Sequence, residues 1–406
     1  MKLVFTIPRR TKLVYFGRTG HGILRNYITE EDFVIYENPR ETLNFWVALR
    51  MLLSSKRSEF AYYRAFLLFY RPEVVITMED NNITFYATKV ILNSCKSIAV
   101  QNGLRINLSH SRDATFRTEL QRLNQHGHDA DVIVTQGGLG TAFYRSSLPN
   151  SKGEFVEGGH LMNNAIAIEG VDVFERPKRL VYVSKYPNLR LANSTVDWHS
   201  QMMVYLNDTG LSATEYYRVD EVVARTCALI AQEHSLPFVV LGKRPQRQTS
   251  EYEFFAKHLT GLKWSYLPSD SQSSSYESLR TGDVVINTDS TLGYEFLARG
   301  LRTAFISARL SAAGHPRVRD FEFGYPVITQ SRGSFWTNDS SDSEIRRVLE
   351  FVMWAEQTEW AEEAKFVCNS IFHFDPGNTI LCRVLDDAGV ANTGPRSWTR
   401  ELVPAN

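Results

Sequence analysis

The sequence predicts an α/β protein of two domains, each a parallel sheet layered between helices. Three observations carry this prediction. Short apolar, β-branched runs such as Val74-Val75-Ile76-Thr77 and Val284-Val285-Ile286 alternate with helical patterns, as in sheets whose parallel strands are joined by right-handed crossovers. These runs stop abruptly at polar clusters, where open α/β sheets bind their ligands. And 406 residues exceed the size at which a single hydrophobic core keeps growing.

The elements follow in order. Met1 to Pro8 reads as a first strand, charged too early for a signal peptide. Thr42 to Leu53 is a helix entered at Asn38-Pro39. Glu59 to Tyr70 is a second, ended by Arg71-Pro72. Val74 to Thr77 is a strand closed by Glu79-Asp80-Asn81-Asn82, and Phe85 to Asn93 returns as a helix. Ser97 to Val100 is a strand ending at Gln101-Asn102-Gly103, followed by a helix from Ala114 to Asn124. Val132 to Thr135 is a strand ending at Gln136-Gly137-Gly138. Residues 145–178 are richer in Gly, Asn and Pro and hold the domain boundary.

A second alternation then begins. Leu180 to Val183 is a strand, Tyr216 to Glu233 a long helix, Phe238 to Leu241 a strand and Glu251 to Leu259 a helix. Trp264 to Leu267 and Asp283 to Asn287 are strands, Leu292 to Arg299 a helix, and Thr303 to Ile306 the strand after it. Ser343 to Asn369 reads as one long helix with Trp354 and Trp360 on a packing stripe. The domains are therefore expected at 1–175 and 176–342, facing across a cleft, with a helix over 343–372 crossing back to the first domain and a tail over 373–406.

Composition excludes several classes. Forty-five basic and forty-five acidic residues cancel, so no net field favours nucleic acid. Cys95, Cys227, Cys368 and Cys382 are scattered without metal-ligand spacing, as expected of reduced thiols in a cytoplasmic protein. No apolar run reaches the roughly 18–20 residues that span a bilayer. GxSxG, Walker and HExxH motifs are absent. Gly17-Arg18-Thr19-Gly20-His21-Gly22 is Gly-rich but lacks the spacing and acidic partner of a dinucleotide fingerprint.

The motifs that remain sit at strand ends. Asp289-Ser290-Thr291 joins a strand to a helix that carries Glu295 one turn in. Hydroxyls, free N–H groups and the helix dipole there suit an anion, although Asp, Ser and Thr are also ordinary caps. Gly242-Lys243-Arg244 adds two cations, with Glu251 opening the next helix. Together they suit a phosphorylated ligand. Asp80 supplies a carboxylate that could take a proton from a sugar hydroxyl, or simply form a turn. Asp197-Trp198-His199 offers an acid, an aromatic platform and an imidazole, or a capped helix. Gln101, Asn102 and Arg105, and then Asn163 and Asn164, offer amides and a cation.

Asp80-Asn81, Gln101-Asn102-Gly103 with Arg105, Asn163-Asn164, Gly242-Lys243-Arg244 with Glu251, Ser290-Thr291-Leu292-Gly293-Tyr294-Glu295 and Gly333-Ser334-Phe335-Trp336-Thr337 resemble bacterial surface-carbohydrate or O-antigen biosynthesis proteins. The layout also resembles GT-B glycosyltransferases, with two Rossmann-like domains. Bacterial Kdo- and sialyltransferases that use CMP-sugars pair a similar hydroxyl loop with a His-Pro loop. Here that loop is Lys243-Arg244-Pro245-Gln246, so CMP-, UDP- and GDP-sugars all stay open.

The resemblance implies a metal-independent transferase without a cofactor. It would move a sugar from a nucleotide-sugar donor to a glycan or lipid-linked glycan of O-antigen, lipopolysaccharide or capsule. Its place would be the cytoplasm, or the cytoplasmic face of the inner membrane with an assembly complex. Lys243, Arg244, Asp289, Ser290 and Thr291 would hold the donor with Glu251, and Glu295 its ribose. Asp80, or else Asp197, would be catalytic, and Gln101, Asn102, Arg105, Asn163 and Asn164 would orient acceptor or sugar. A nucleotide-sugar epimerase and a non-catalytic glycan-binding subunit are the alternatives.

Overall fold

The computed structural model describes residues 1–53, 58–105, 112–166, 174–184, 213–243, 245, 249–270, 274–288, 290–307, 330 and 332–396. The chain divides into two compact units, one of residues 1–165 with 372–397 and one of residues 166–371 with 398–406.

The first unit holds a short side sheet of β1 (Lys2–Val4) and a later strand, and a main sheet of six strands. In chain order these are β2 (Leu13–Phe16), β3 (Phe33–Tyr36), the side-sheet strand β4 (Thr42–Asn44), β5 (Val74–Thr77), β6 (Lys96–Val100), β7 (Val132–Thr135) and β8 (Glu154–Glu157). The main sheet is parallel throughout, in the order β3-β2-β5-β6-β7-β8. Its central strands are buried on both faces, which explains their unbroken apolar runs. An aromatic cluster packs one face: Phe16 stacks on Tyr36 at 4.9 Å and meets Tyr63 edge-on at 5.1 Å.

The second unit holds β9 (Arg179–Val183), β10 (Phe238–Leu241), β11 (Ser265–Leu267), β12 (Asp283–Asn287), β13 (Arg302–Ile306) and β14 (Trp336–Thr337). All pair in parallel, in the order β11-β10-β9-β12-β13-β14. Counted within the unit this is 3-2-1-4-5-6, the Rossmann order. The protein is thus α/β with two Rossmann-like parallel-sheet domains.

Several expected elements are redrawn. The strand of residues 1–8 is only β1, in the side sheet, and the main sheet starts at β2. The helix expected from Thr42 begins at Phe45, because Asn44 is still in a strand. Its side-chain oxygen accepts from the N–H groups of Trp46 (3.0 Å) and Val47 (3.3 Å), capping the helix Phe45–Leu52. The Phe85–Asn93 helix is a 3-10 turn, Phe85–Ala87, running into the helix Thr88–Ile91. The long C-terminal helix is two, Asp342–Trp354 and Gln357–Ile371, broken where Ala355 turns extended. Both belong to the second unit. Of the tryptophan stripe, Trp360 is buried and Trp354 is exposed.

It is the segment expected to be a tail that returns to the first unit. Its helix Thr379–Asp387 buries Leu381, Cys382, Val384 and Leu385. The Thr29 N–H donates to the Ala391 carbonyl and the Thr393 N–H to the Tyr27 carbonyl, each at 2.8 Å. The boundary between units lies ten residues before the expected one.

Candidate functional site

In the second unit the strand order reverses between β9 and β12. That switch point is where open α/β sheets leave a crevice at the carboxyl ends of their strands. The loops after β10 and β12 lie on this same edge, on either side of β9. At two strand spacings they are about 10 Å apart.

The helix Thr291–Ala298 starts here. Its cap, Ser290, makes no side-chain hydrogen bond to the first turn. The corner is instead fixed from behind: the Asn287 side chain donates to the Ser290 carbonyl (3.1 Å) and accepts from the Ser290 N–H (3.2 Å). Gly293 makes that approach possible, because a Cβ there would overlap the Asn287 amide. The Thr288 hydroxyl is buried with no hydrogen-bond partner among the described residues. Ser290 is half-buried and Thr291 exposed. A helix N-terminus with uncapped N–H groups and an unused hydroxyl is an anion-binding arrangement.

Glu251 and Glu295 prove to be buried framework. The Glu251 carboxylate accepts from the Ser184 hydroxyl, from Tyr266 (2.8 Å) and from the Lys243 N–H (3.1 Å to each oxygen), tying the ends of β9, β10 and β11 together. Glu295 accepts from the Tyr276 hydroxyl. Burial first, and then this carboxylate, push the Tyr276 phenol well above its usual range, so it stays a donor. A ribose at Glu295 would have to displace that phenol. Lys243 is exposed at the end of β10. Arg244, Asp289 and Asp197 lie outside the described residues.

In the first unit the switch point lies between β2 and β5. Asp80, after β5, is fully buried. Its carboxylate accepts from Arg105 through Nε (2.8 Å) and Nη2, from the Tyr144 hydroxyl and from the Asn102 N–H (3.1 Å). Burial works against the Arg105 charge, but Tyr144 and Asp80 more than offset it and raise the guanidinium's pKa. Asp80 therefore fits a positioning role, not that of an accessible base.

Gln101 bridges neighbouring loops, donating to the Gly103 carbonyl (2.6 Å) and accepting from the Gln136 N–H (3.0 Å). Asn164 donates to the Gly158 carbonyl (2.6 Å) and to Asn378 (2.9 Å), fastening the C-terminal segment. Asn163 is buried as well. Of the expected acceptor residues, only Asn102 is exposed.

The Gly-rich corner after β2, which lacks the spacing of a dinucleotide fingerprint, sits at this switch point. Gly17, at φ +82, turns the chain beside Glu79. The Thr19 hydroxyl donates to Glu79 (3.1 Å) and Arg18 pairs with Glu37. The His21 ring meets Tyr15 edge-on at 4.6 Å, and neither its Nε2 nor the Tyr15 hydroxyl has a hydrogen-bond partner among the described residues. Burial, then Arg25 and Arg18, lower the His21 pKa and hold the imidazole neutral. The signal was the Gly17–Gly22 run, legible once Leu13–Phe16 is recognised as a strand.

Among the described residues no helix is long and apolar enough to cross a membrane. No curated protein matches the sequence. Solved structures similar in fold include Anabaena HepE in complex with UDP and glucose, at 10% identity, with 93% of this chain and 100% of that one covered and a TM-score of 0.46. The wall teichoic acid polymerase TagF is 10% identical, with 93% and 89% covered and a TM-score of 0.48. The UDP-GlcNAc 2-epimerase of Neisseria meningitidis bound to UDP-GlcNAc is 10% identical, with 95% and 100% covered and a TM-score of 0.49. In sequence, residues 98–388 match the model of a family described as O-antigen biosynthesis protein.

Proposed function

We propose, since the chain belongs to the O-antigen biosynthesis protein family, that it is a glycosyltransferase moving a sugar from a nucleotide-linked donor to a surface glycan. The observation that carries this reading is the corner at the second unit's switch point. There the uncapped start of the helix Thr291–Ala298 and the Thr288 hydroxyl, without a partner among the described residues, share one sheet edge with Lys243.

A donor diphosphate would take the first-turn N–H groups and the hydroxyls of Ser290 and Thr291. Lys243, with Arg244 and Asp289 next to it and to Ser290 in sequence, would complete the site. Preorganised N–H dipoles and cations would stabilise the charge that builds on the leaving nucleotide, without a metal ion. The acceptor, a glycan or lipid-linked glycan, loses a proton as its hydroxyl attacks. Glu79, partly exposed in the first unit and hydrogen-bonded by Thr19, is the carboxylate we assign to take it. Asp80 holds Arg105 and the loop of Asn102 in position.

Melting temperatures with UDP, CMP, GDP and ADP test the donor site. A nucleotide at 100 times its Kd should stabilise the protein by about 2.7 kcal/mol, and Thr288→Val with Thr291→Val should remove the response. No response to any nucleotide overturns the site. Sugar transfer from the responding nucleotide's sugars to a lipid-linked acceptor tests the reaction. Release of nucleotide that needs the acceptor and is lost in Glu79→Gln supports transfer. Interconversion of the free nucleotide sugar without an acceptor would make the protein an epimerase.

A further inference from the structure

The helix Phe45–Leu52 is apolar on two sides. Val47 faces the core, with Ala48 and Met51 packed against it. At 100° per residue, Phe45, Trp46, Leu49, Leu52 and the following Leu53 share the opposite arc, about 120° wide. That arc is bare: the five side chains are 37 to 84% exposed.

The segment after β1 extends the same patch. The Phe5 ring lies 5.6 Å from Phe45, and the Trp46 indole donates to the Phe5 carbonyl at 3.0 Å. Of thirteen strongly exposed large apolar side chains among the described residues, ten lie within residues 1–60. Soluble monomers rarely leave so much apolar surface contiguous without using it.

Charge indicates what covers it. The whole chain is neutral, yet residues 1–71 carry 12 of its 45 basic residues and only 6 of its 45 acidic ones. Lys2, Arg9, Arg40 and Arg50 are among these and are exposed. Arg50 lies over the Phe69 ring at 4.7 Å, at the border of the bare arc. An apolar helix face with Trp and Phe, with Arg50 at its border and further exposed Lys and Arg in the same basic stretch of chain, matches a membrane interface with anionic headgroups: rings and leucines at the acyl boundary, cations at the phosphates.

We propose that the exposed face of the helix Phe45–Leu52, together with Phe5, docks the protein on an anionic lipid bilayer. The contact needs no nucleotide or glycan, so it stands or falls apart from the transferase reading. It would place the first unit at a surface that could carry a lipid-linked acceptor.

The test is flotation of the full chain with vesicles of phosphatidylcholine alone and with one-third phosphatidylglycerol, without nucleotide. Binding should require phosphatidylglycerol and weaken as salt screens the charges. The triple variant Trp46→Ser, Leu49→Ser, Leu53→Ser should bind at least tenfold less at an unchanged melting temperature. Failure of the native chain to float with anionic vesicles, or equal binding by the variant, overturns the proposal. So does a native dimer that the variant breaks into monomers with no loss of vesicle binding, which would assign the face to a second copy. Should the triple variant lose its fold, quenching of the native chain's tryptophan emission by brominated phosphatidylglycerol decides. That quenching should largely vanish in Trp46→Phe, and its persistence there would overturn the proposal.

Discussion

Asp80, in the turn after β5, has no exposed surface, its oxygens taken by Arg105, Tyr144 and the Asn102 N–H. Its neighbour Glu79 is partly exposed and accepts from Thr19. Both lie in the turn after β5, closed by the Asn82 N–H on the Glu79 carbonyl at 2.9 Å, and the turn sends one carboxylate to Arg105 and Tyr144 and the other to Thr19. Removing the charge of Asp80 leaves the buried Arg105 with only the longer pairing to Asp113, at 3.5 Å. Asp80→Asn should therefore cost about 3–5 kcal/mol and lower the melting temperature by on the order of 10 °C. Glu79→Gln should change stability by only about 0.5 kcal/mol. Thermal denaturation of the two variants side by side checks this. Which of the adjacent acids is accessible was not legible in the sequence, because it depends on where Arg105 and Tyr144 return in space.

Among the elements, the parallel strands were the most legible. Val74–Thr77, Val132–Thr135, Phe238–Leu241 and Asp283–Asn287 begin and end where their apolar runs do, since burial on both faces demands an unbroken run. Leu13–Phe16 was not read as a strand although Val, Tyr and Phe all favour one. The helix Gly138–Ser147 was missed because three glycines lie in and just before it, although it packs small residues against Gln101. The corner Asn287–Thr291 was legible as a strand-to-helix turn, but the Asn287 clasp behind it was not. Gly293→Ala should break that clasp at about 1–3 kcal/mol, the cost of overpacking. It should also shrink the stabilisation by nucleotide more than the loss of stability alone explains. Melting curves with and without the responding nucleotide measure both.

For the whole molecule, the path of the chain matters as much as the two sheets. The first unit is completed only by residues 372–397. Cutting the chain after Ile371 exposes the seats of Leu381, Cys382, Val384 and Leu385. At about 1.5–3 kcal/mol for each large apolar side chain, the loss approaches the 5–15 kcal/mol that holds a domain together. The truncated chain should lose the cooperative transition of its first unit and keep that of the second, as read by hydrogen exchange of β5 and β6 against β9 and β12. This organisation also sets an order of events at the ribosome. After residue 165 emerges, about 200 more must be made before the closing segment appears. At about 5–20 residues per second that is roughly 10–40 s. The later-encoded unit can therefore finish folding before the earlier one, whose unfinished core is a substrate for chaperones in the meantime.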